Sequence, residues 1–168
     1  METNEIRSQQ NPSTEAGDLI IDRMFNLPVN KVWQAWTDPE ISKKWWGPKD
    51  YTCPFSSIDL KVGGKILSCM RSAEGDEFWS TGEYKEIVPF KKLVCTDSFS
   101  NAKGDIVKAS DMGMPGNWPL QLLVTVIFEE TDGKTRMTMR HEGLPPEIKE
   151  DCKKGWQQSF DKLEENMK

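Results

Sequence analysis

His141 is the only histidine in the 168-residue chain, so any acid, base or ligand-polarising step that needs an imidazole must use it. It follows Met137 and Met139 at two-residue steps, which in a strand puts all three side chains on one face. A hydrogen-bonded structural imidazole and a proton-moving one both fit that place. Tyr84 is the second polar candidate, because a phenol in an apolar setting needs a partner to offset its desolvation. A hydrolase or transferase needs a nucleophile with a base in reach, and no such pair converges here. Gly63-Gly64 is followed by neither a Lys-Ser/Thr pattern nor a helix, so it reads as a turn rather than a phosphate cradle. Asp59 and Glu83 alternate against apolar or small neighbours and read as solvated-face residues. Cys53, Cys69, Cys95 and Cys152 are far apart, with no Cys-x-x-Cys pair and no histidine cluster. Buried reduced thiols are therefore expected, with no metal site, disulfide framework or cofactor.

The other chemical signal is aromatic. Seven tryptophans (Trp33, Trp36, Trp45, Trp46, Trp79, Trp118 and Trp156) exceed what a core of this size needs. Trp is large and often incompletely buried, so the excess suits the wall or mouth of an apolar cavity, with core packing accounting for at least half of the seven. The candidate ligand-binding set is Trp36, Trp46, Tyr84, Met112, Trp118, Val124, Met137, Met139, His141, Trp156 and Phe160. Met112 and Trp118 fall in a long irregular stretch, either an adaptable lid or a disordered loop.

Positioning these groups requires a frame, and the stretch Leu144 to Lys168 provides its axis. Ile148, Cys152, Trp156, Phe160, Leu163 and Met167 recur at steps of four or three, giving a helix with one apolar stripe between charged and amide residues. Pro145 and Pro146 suit its start. Upstream, Leu19 to Phe25 reads as a strand with Leu19, Ile21 and Phe25 on one face, interrupted by Arg23. Pro28 opens a helix carrying Val29, Val32, Trp33 and Trp36, with Asn26 as an imperfect cap. Asp38-Pro39-Glu40 caps and starts a second, short helix that Gly47-Pro48 ends. From Thr52 the period changes to two. Phe55 to Val62, Lys65 to Arg71, Phe78 to Val88, Leu93 to Phe99, Leu120 to Glu130 and Lys134 to His141 are strands joined by short turns, hence an antiparallel meander. Only Ser100 to Pro119 is too long for an ordinary connection. The fold class is α+β: a seven-stranded antiparallel sheet, two short helices between its first two strands, and the long helix across its concave face.

Composition limits the partners. Net charge is −5 with a pI near 5.1, and no run of Lys or Arg exceeds two, so nucleic acid is not an expected partner. No apolar run reaches the roughly 18 residues of a membrane span, and Met1 to Gly17 is polar, unlike a signal peptide. A cytoplasmic protein is expected, with residues 1–17 a disordered tail and residues 18–168 one domain.

Trp45-Trp46-Gly47-Pro48 makes the pattern familiar. Together with Ala35-Trp36-Thr37-Asp38-Pro39-Glu40, Asp59-Leu60-Lys61-Val62-Gly63-Gly64, Gly82-Glu83-Tyr84, Gly133-Lys134-Thr135-Arg136-Met137-Thr138-Met139 and Gly155-Trp156, it resembles the START-like helix-grip (SRPBCC) superfamily, specifically homologues of the activator of heat-shock-protein ATPase. The resemblance implies a curved sheet gripping the C-terminal helix over a cavity that in relatives holds lipids, polyketides or other hydrophobic molecules. It implies no catalytic set, because relatives range from carriers to cyclases and co-chaperone domains. A binding protein for a small hydrophobic molecule is the leading reading. The alternatives are a cyclase or hydratase using His141 or Tyr84, and an interaction module for a chaperone or a homodimer. The chaperone activator resembles a two-domain protein and this chain has room for one, which ranks that alternative below ligand binding.

Overall fold

The computed structural model describes residues 18–168. The expected tail, residues 1–17, lies outside the described residues. Strands β1 (Leu19–Phe25), β2 (Thr52–Ile58), β3 (Lys65–Arg71), β4 (Glu77–Val88), β5 (Lys92–Ser100), β6 (Leu122–Thr131) and β7 (Lys134–Glu142) form one sheet in the order β1-β7-β6-β5-β4-β3-β2. Every neighbouring pair is antiparallel. Helices α1 (Val29–Thr37) and α2 (Pro39–Ser42) fall between β1 and β2, and α3 (Lys149–Met167) closes the chain. This is the α+β arrangement expected, with the sheet curled around α3. Register shifts between Thr52 and Phe55 and between Tyr84 and Glu86 mark bulges, which sharpen twist and help the sheet curl.

The ends of elements differ from the sequence reading where local chemistry intervenes. β2 begins at Thr52, three residues early, and stops at Ile58. There Lys61 N–H bonds to the Asp59 carbonyl and Gly64 N–H to that of Lys61, so 59–64 is a turn and not strand. The long helix does not run unbroken from Leu144. Pro146–Ile148 is a 3-10 turn, its Ile148 N–H bonded to Pro145 O, and α3 follows from Lys149. Asp38 caps α2 as expected, its Oδ1 accepting from Glu40 N–H at 2.9 Å. Asn26 caps nothing; its backbone N–H donates to Glu164 Oε2 at 3.0 Å.

The stripe of α3 meets the inner face of the sheet. Phe25, Val32, Trp45, Met137, Met139, Phe160 and Leu163 are all essentially inaccessible and form one core. Arg23, the apparent interruption of β1, is the polar tie between the layers. Its guanidinium donates to Gln157 Oε1 at 3.1 Å, Asp161 Oδ1 at 2.8 Å and Glu164 Oε1 at 3.2 Å, and lies 5.2 Å from the Phe25 ring centroid. An Arg on an otherwise apolar face is thus explained by the carboxylate-rich flank of α3 opposite it.

Gly64 is required by a close approach. A Cβ there would land on the Asp59 carbonyl oxygen, while Gly64 O accepts from Tyr84 N–H at 3.0 Å, leaving the residue no room to retreat. Gly64→Ala is expected to lower the unfolding free energy by about 2 kcal/mol or more, read by urea denaturation. A loss under about 0.5 kcal/mol would contradict that reading of the turn.

Candidate functional site

Between β3–β5 and α3 lies a cavity of about 50 Å³. Its aromatic wall is made of three indoles from three segments: Trp36 on α1, Trp46 after α2, and Trp156 on α3. Trp36 and Trp156 are near-parallel, with centroids 6.0 Å apart and planes at 27°. Trp46 stands perpendicular to both, at 84° and 6.2 Å from Trp36 and at 89° and 5.5 Å from Trp156. Trp45 braces the set from behind, held by its Nε1–H donating to Ala35 O at 2.9 Å. The segment carrying Trp46 is positioned by Gly47, whose φ of +102° turns the chain. It is also held by Lys162 of α3, whose ammonium donates to Pro48 O at 3.2 Å and Tyr51 O at 3.1 Å. Burial pushes the Lys162 pKa down.

The sheet wall is partly polar. Ser68 and Ser80 face each other across the β3–β4 register and both line the cavity, with Asp97 from β5 and Val124 from β6. The Asp97 carboxylate is tied to His141: Nε2 lies 3.0 Å from Asp97 Oδ2, and Trp156 Nε1–H donates to His141 Nδ1 at 3.1 Å. An indole donor at Nδ1 requires a lone pair there, which assigns the ring proton to Nε2 as the donor to Asp97. Trp156, His141 and Asp97 therefore form a polar chain from helix to sheet. Trp36 Nε1 is buried without a partner.

Of the residues singled out in the sequence, Trp36, Trp46, Val124 and Trp156 line the cavity. His141 touches it through Trp156 and Asp97. Met137, Met139 and Phe160 are wholly buried in the packed core, not at the cavity wall. Tyr84 is also core at 2 % exposure, and burial pushes its phenol well above the usual range, so the hydroxyl stays protonated. Met112 ends a 3-10 turn and Trp118 packs on Phe99 at 5.1 Å with its Nε1–H on Pro115 O; neither lines the cavity. The loop is structured, with Val107 N–H on Phe99 O and a bridge from Ser100 to Ile106, and none of its residues lines the cavity. Asp97, Ser68 and Ser80 were the residues sequence reasoning passed over. Their signal was available: Asp97 shares inward parity with Leu93 and Cys95, and Ser68 and Ser80 share it with Ile66 and Gly82.

All four cysteines are free. Burial pushes Cys95 up to about 12 and Cys152 up to about 11, and raises Cys53 and Cys69, so each is a neutral thiol at pH 7. Among the described residues no three His, Cys, Asp or Glu side chains converge to hold a metal ion, and no helix is long and apolar enough to cross a membrane.

A curled antiparallel sheet gripping a long C-terminal helix, with short helices after the first strand, is the START-like helix-grip fold of the SRPBCC superfamily. Residues 26–168 match the family described as Activator of Hsp90 ATPase homolog 1-like protein, and the chain belongs to that family. It is similar to the crystal structure of a Chromobacterium violaceum protein, at 26% identity over 90% of this chain and 96% of that one, with a TM-score of 0.73. A Nitrosomonas europaea protein is similar at 26% identity over 89% and 92% of the two chains, TM-score 0.70. An AHSA1 protein from Silicibacter pomeroyi shares the fold at 22% identity over 89% and 96%, TM-score 0.69. No curated protein matches by sequence.

Proposed function

We propose that the chain is a cytoplasmic binding module that takes a small, mostly apolar molecule into the cavity between sheet and C-terminal helix, without covalent chemistry. The observation that carries this reading is the convergence of Trp36, Trp46 and Trp156 with Val124 on one internal space. About 50 Å³ is far below the roughly 300–1,000 Å³ of a drug-sized pocket. It accommodates a compact ligand or the end of a longer one, the size of about three to five waters. Cyclase or hydratase chemistry is less well supported, because both ring nitrogens of His141 are engaged and Tyr84 is held protonated.

The test is a substitution on the wall itself. Ser80→Leu replaces a small hydroxymethyl with a branched side chain that fills the space, and Ser80 is not part of the solid core. With 1-butanol as probe, the parent protein should give a saturable change in Trp emission, and Ser80→Leu should lose it while still unfolding cooperatively. Equal affinity in the two proteins sinks the cavity reading. A second reading, favoured by the family match, is an activator of a heat-shock ATPase. Its check is stimulation of Hsp90 ATP hydrolysis by the purified protein, and no stimulation at stoichiometric excess removes it.

A further inference from the structure

The charge of the cavity, taken with its aromatic wall, narrows the ligand class, and this inference rests on the binding reading above. Asp97 lines the cavity with its side chain 33 % exposed, and its only ion-pair partner among the described residues is His141. The Trp156 indole N–H occupies the Nδ1 lone pair of that ring, which assigns the ring proton to Nε2 as the donor to Asp97 Oδ2, so the imidazole in this arrangement brings the carboxylate a hydrogen bond and no formal positive charge. No Lys or Arg lines the cavity. The space thus holds one uncompensated negative charge, partly withdrawn from water, beside three indoles whose π faces attract cations. Next to it stand two acceptors. Ser68, 4 % exposed, and its cross-strand partner Ser80 both line the space, and among the described residues neither hydroxyl makes a hydrogen bond to another side chain or to the backbone. Carboxylate, hydroxyls and indoles together are the complement of an N–H-bearing cation with a short apolar tail. The same arrangement is hostile to an anionic ligand such as a fatty acid.

We infer that the cavity selects a protonated amine: an alkylammonium head seated among Asp97, Ser68 and Ser80, its carbons against Trp36, Trp46 and Trp156. Asp97 is the charge that attracts the head, and His141 is a positioning residue that aims the carboxylate inward.

The measurement compares three near-isosteric probes at pH 7, butylammonium, 1-butanol and butyrate, by the shifts of the Trp indole N–H resonances. Butylammonium should bind about tenfold or more tighter than 1-butanol, from one charge-assisted hydrogen bond plus the cation–π contribution, and butyrate weakest of all. Asp97→Asn keeps an oxygen to accept from His141 Nε2 and removes only the charge. It should bring butylammonium down to the level of 1-butanol and leave 1-butanol unchanged. If that variant fails to fold, the ranking of the three probes on the parent protein decides alone. Should 1-butanol bind as tightly as butylammonium, with both lost in Ser80→Leu, the amine inference is overturned and the apolar cavity stands. Binding of none of the three overturns both.

Discussion

Phe160→Ala should lower the unfolding free energy by about 3–5 kcal/mol, the largest single loss expected in this protein. Phe160 is 0 % exposed and lies on the α3 stripe. Its ring meets Phe25 edge-on at 6.1 Å, Trp36 and Trp45 at 6.1 Å, and Trp156 in a stack at 5.5 Å. Removing it costs the transfer energy of a phenyl ring together with the cavity left behind. That cavity cannot collapse cheaply, because Trp45 is tethered by its Nε1–H on Ala35 O and α3 is tethered to β1 through Arg23. For a domain of this size the loss corresponds to a fall in Tm of roughly 6–20 °C. Urea denaturation of the variant beside Cys152→Ala, a half-buried position on the same stripe, checks it. A cost for Phe160→Ala under about 1.5 kcal/mol would mean that α3 does not seat where the structure has it.

Trp156→Ala comes next, at about 3 kcal/mol. Trp156 is only partly buried, so it forfeits less area than a sealed ring, but three separate losses combine. The stack on Phe160 and the contacts with Trp36 and Trp46 go, the cavity widens, and His141 Nδ1 loses its donor at 3.1 Å. Trp156→Phe separates these contributions. It keeps most of the packing and removes only the N–H, so it should cost about 1 kcal/mol. If the Phe and Ala variants are equally destabilised, the hydrogen bond dominates; if Phe is neutral, Nδ1 finds water instead. In Trp156→Ala the widened space should also admit bulkier apolar probes than the parent protein does.

Most of the candidate site was readable in part. The α3 stripe named Trp156 and Phe160 together, yet they play different roles: one faces the cavity and the other is sealed in the core. Both lie on the same face by periodicity, and the distinction depends on which neighbour occupies the space opposite. For Phe160 that space holds Phe25 and Trp45; for Trp156 it holds Asp97, His141 and the small side chains of β3 and β4. Met137 and Met139 shared the inward parity of His141 correctly, and all three are buried, but the two thioethers were already covered by α3 and the β1 side of the core. The inward parity of Asp97 was readable on β5, but its tie to His141 was not: the two lie on strands separated by β6, and only the register through that strand brings them together across 44 positions of sequence.

By itself the sequence determined the element order, the parity of each strand, the stripe of α3 and the absence of any Cys-x-x-Cys or clustered-histidine motif. These are local properties: period two and period 3.6 are set by backbone geometry, and a residue's face follows from its neighbours within a few positions. Tertiary structure alone decided that Arg23 binds α3, that His141 is locked between Trp156 and Asp97, and that the space between sheet and helix is about 50 Å³. A cavity volume is a small difference between the room the curled sheet leaves and the side chains that fill it. Segments more than a hundred residues apart contribute to both quantities, from Trp36 to Trp156, so no local pattern can report what remains.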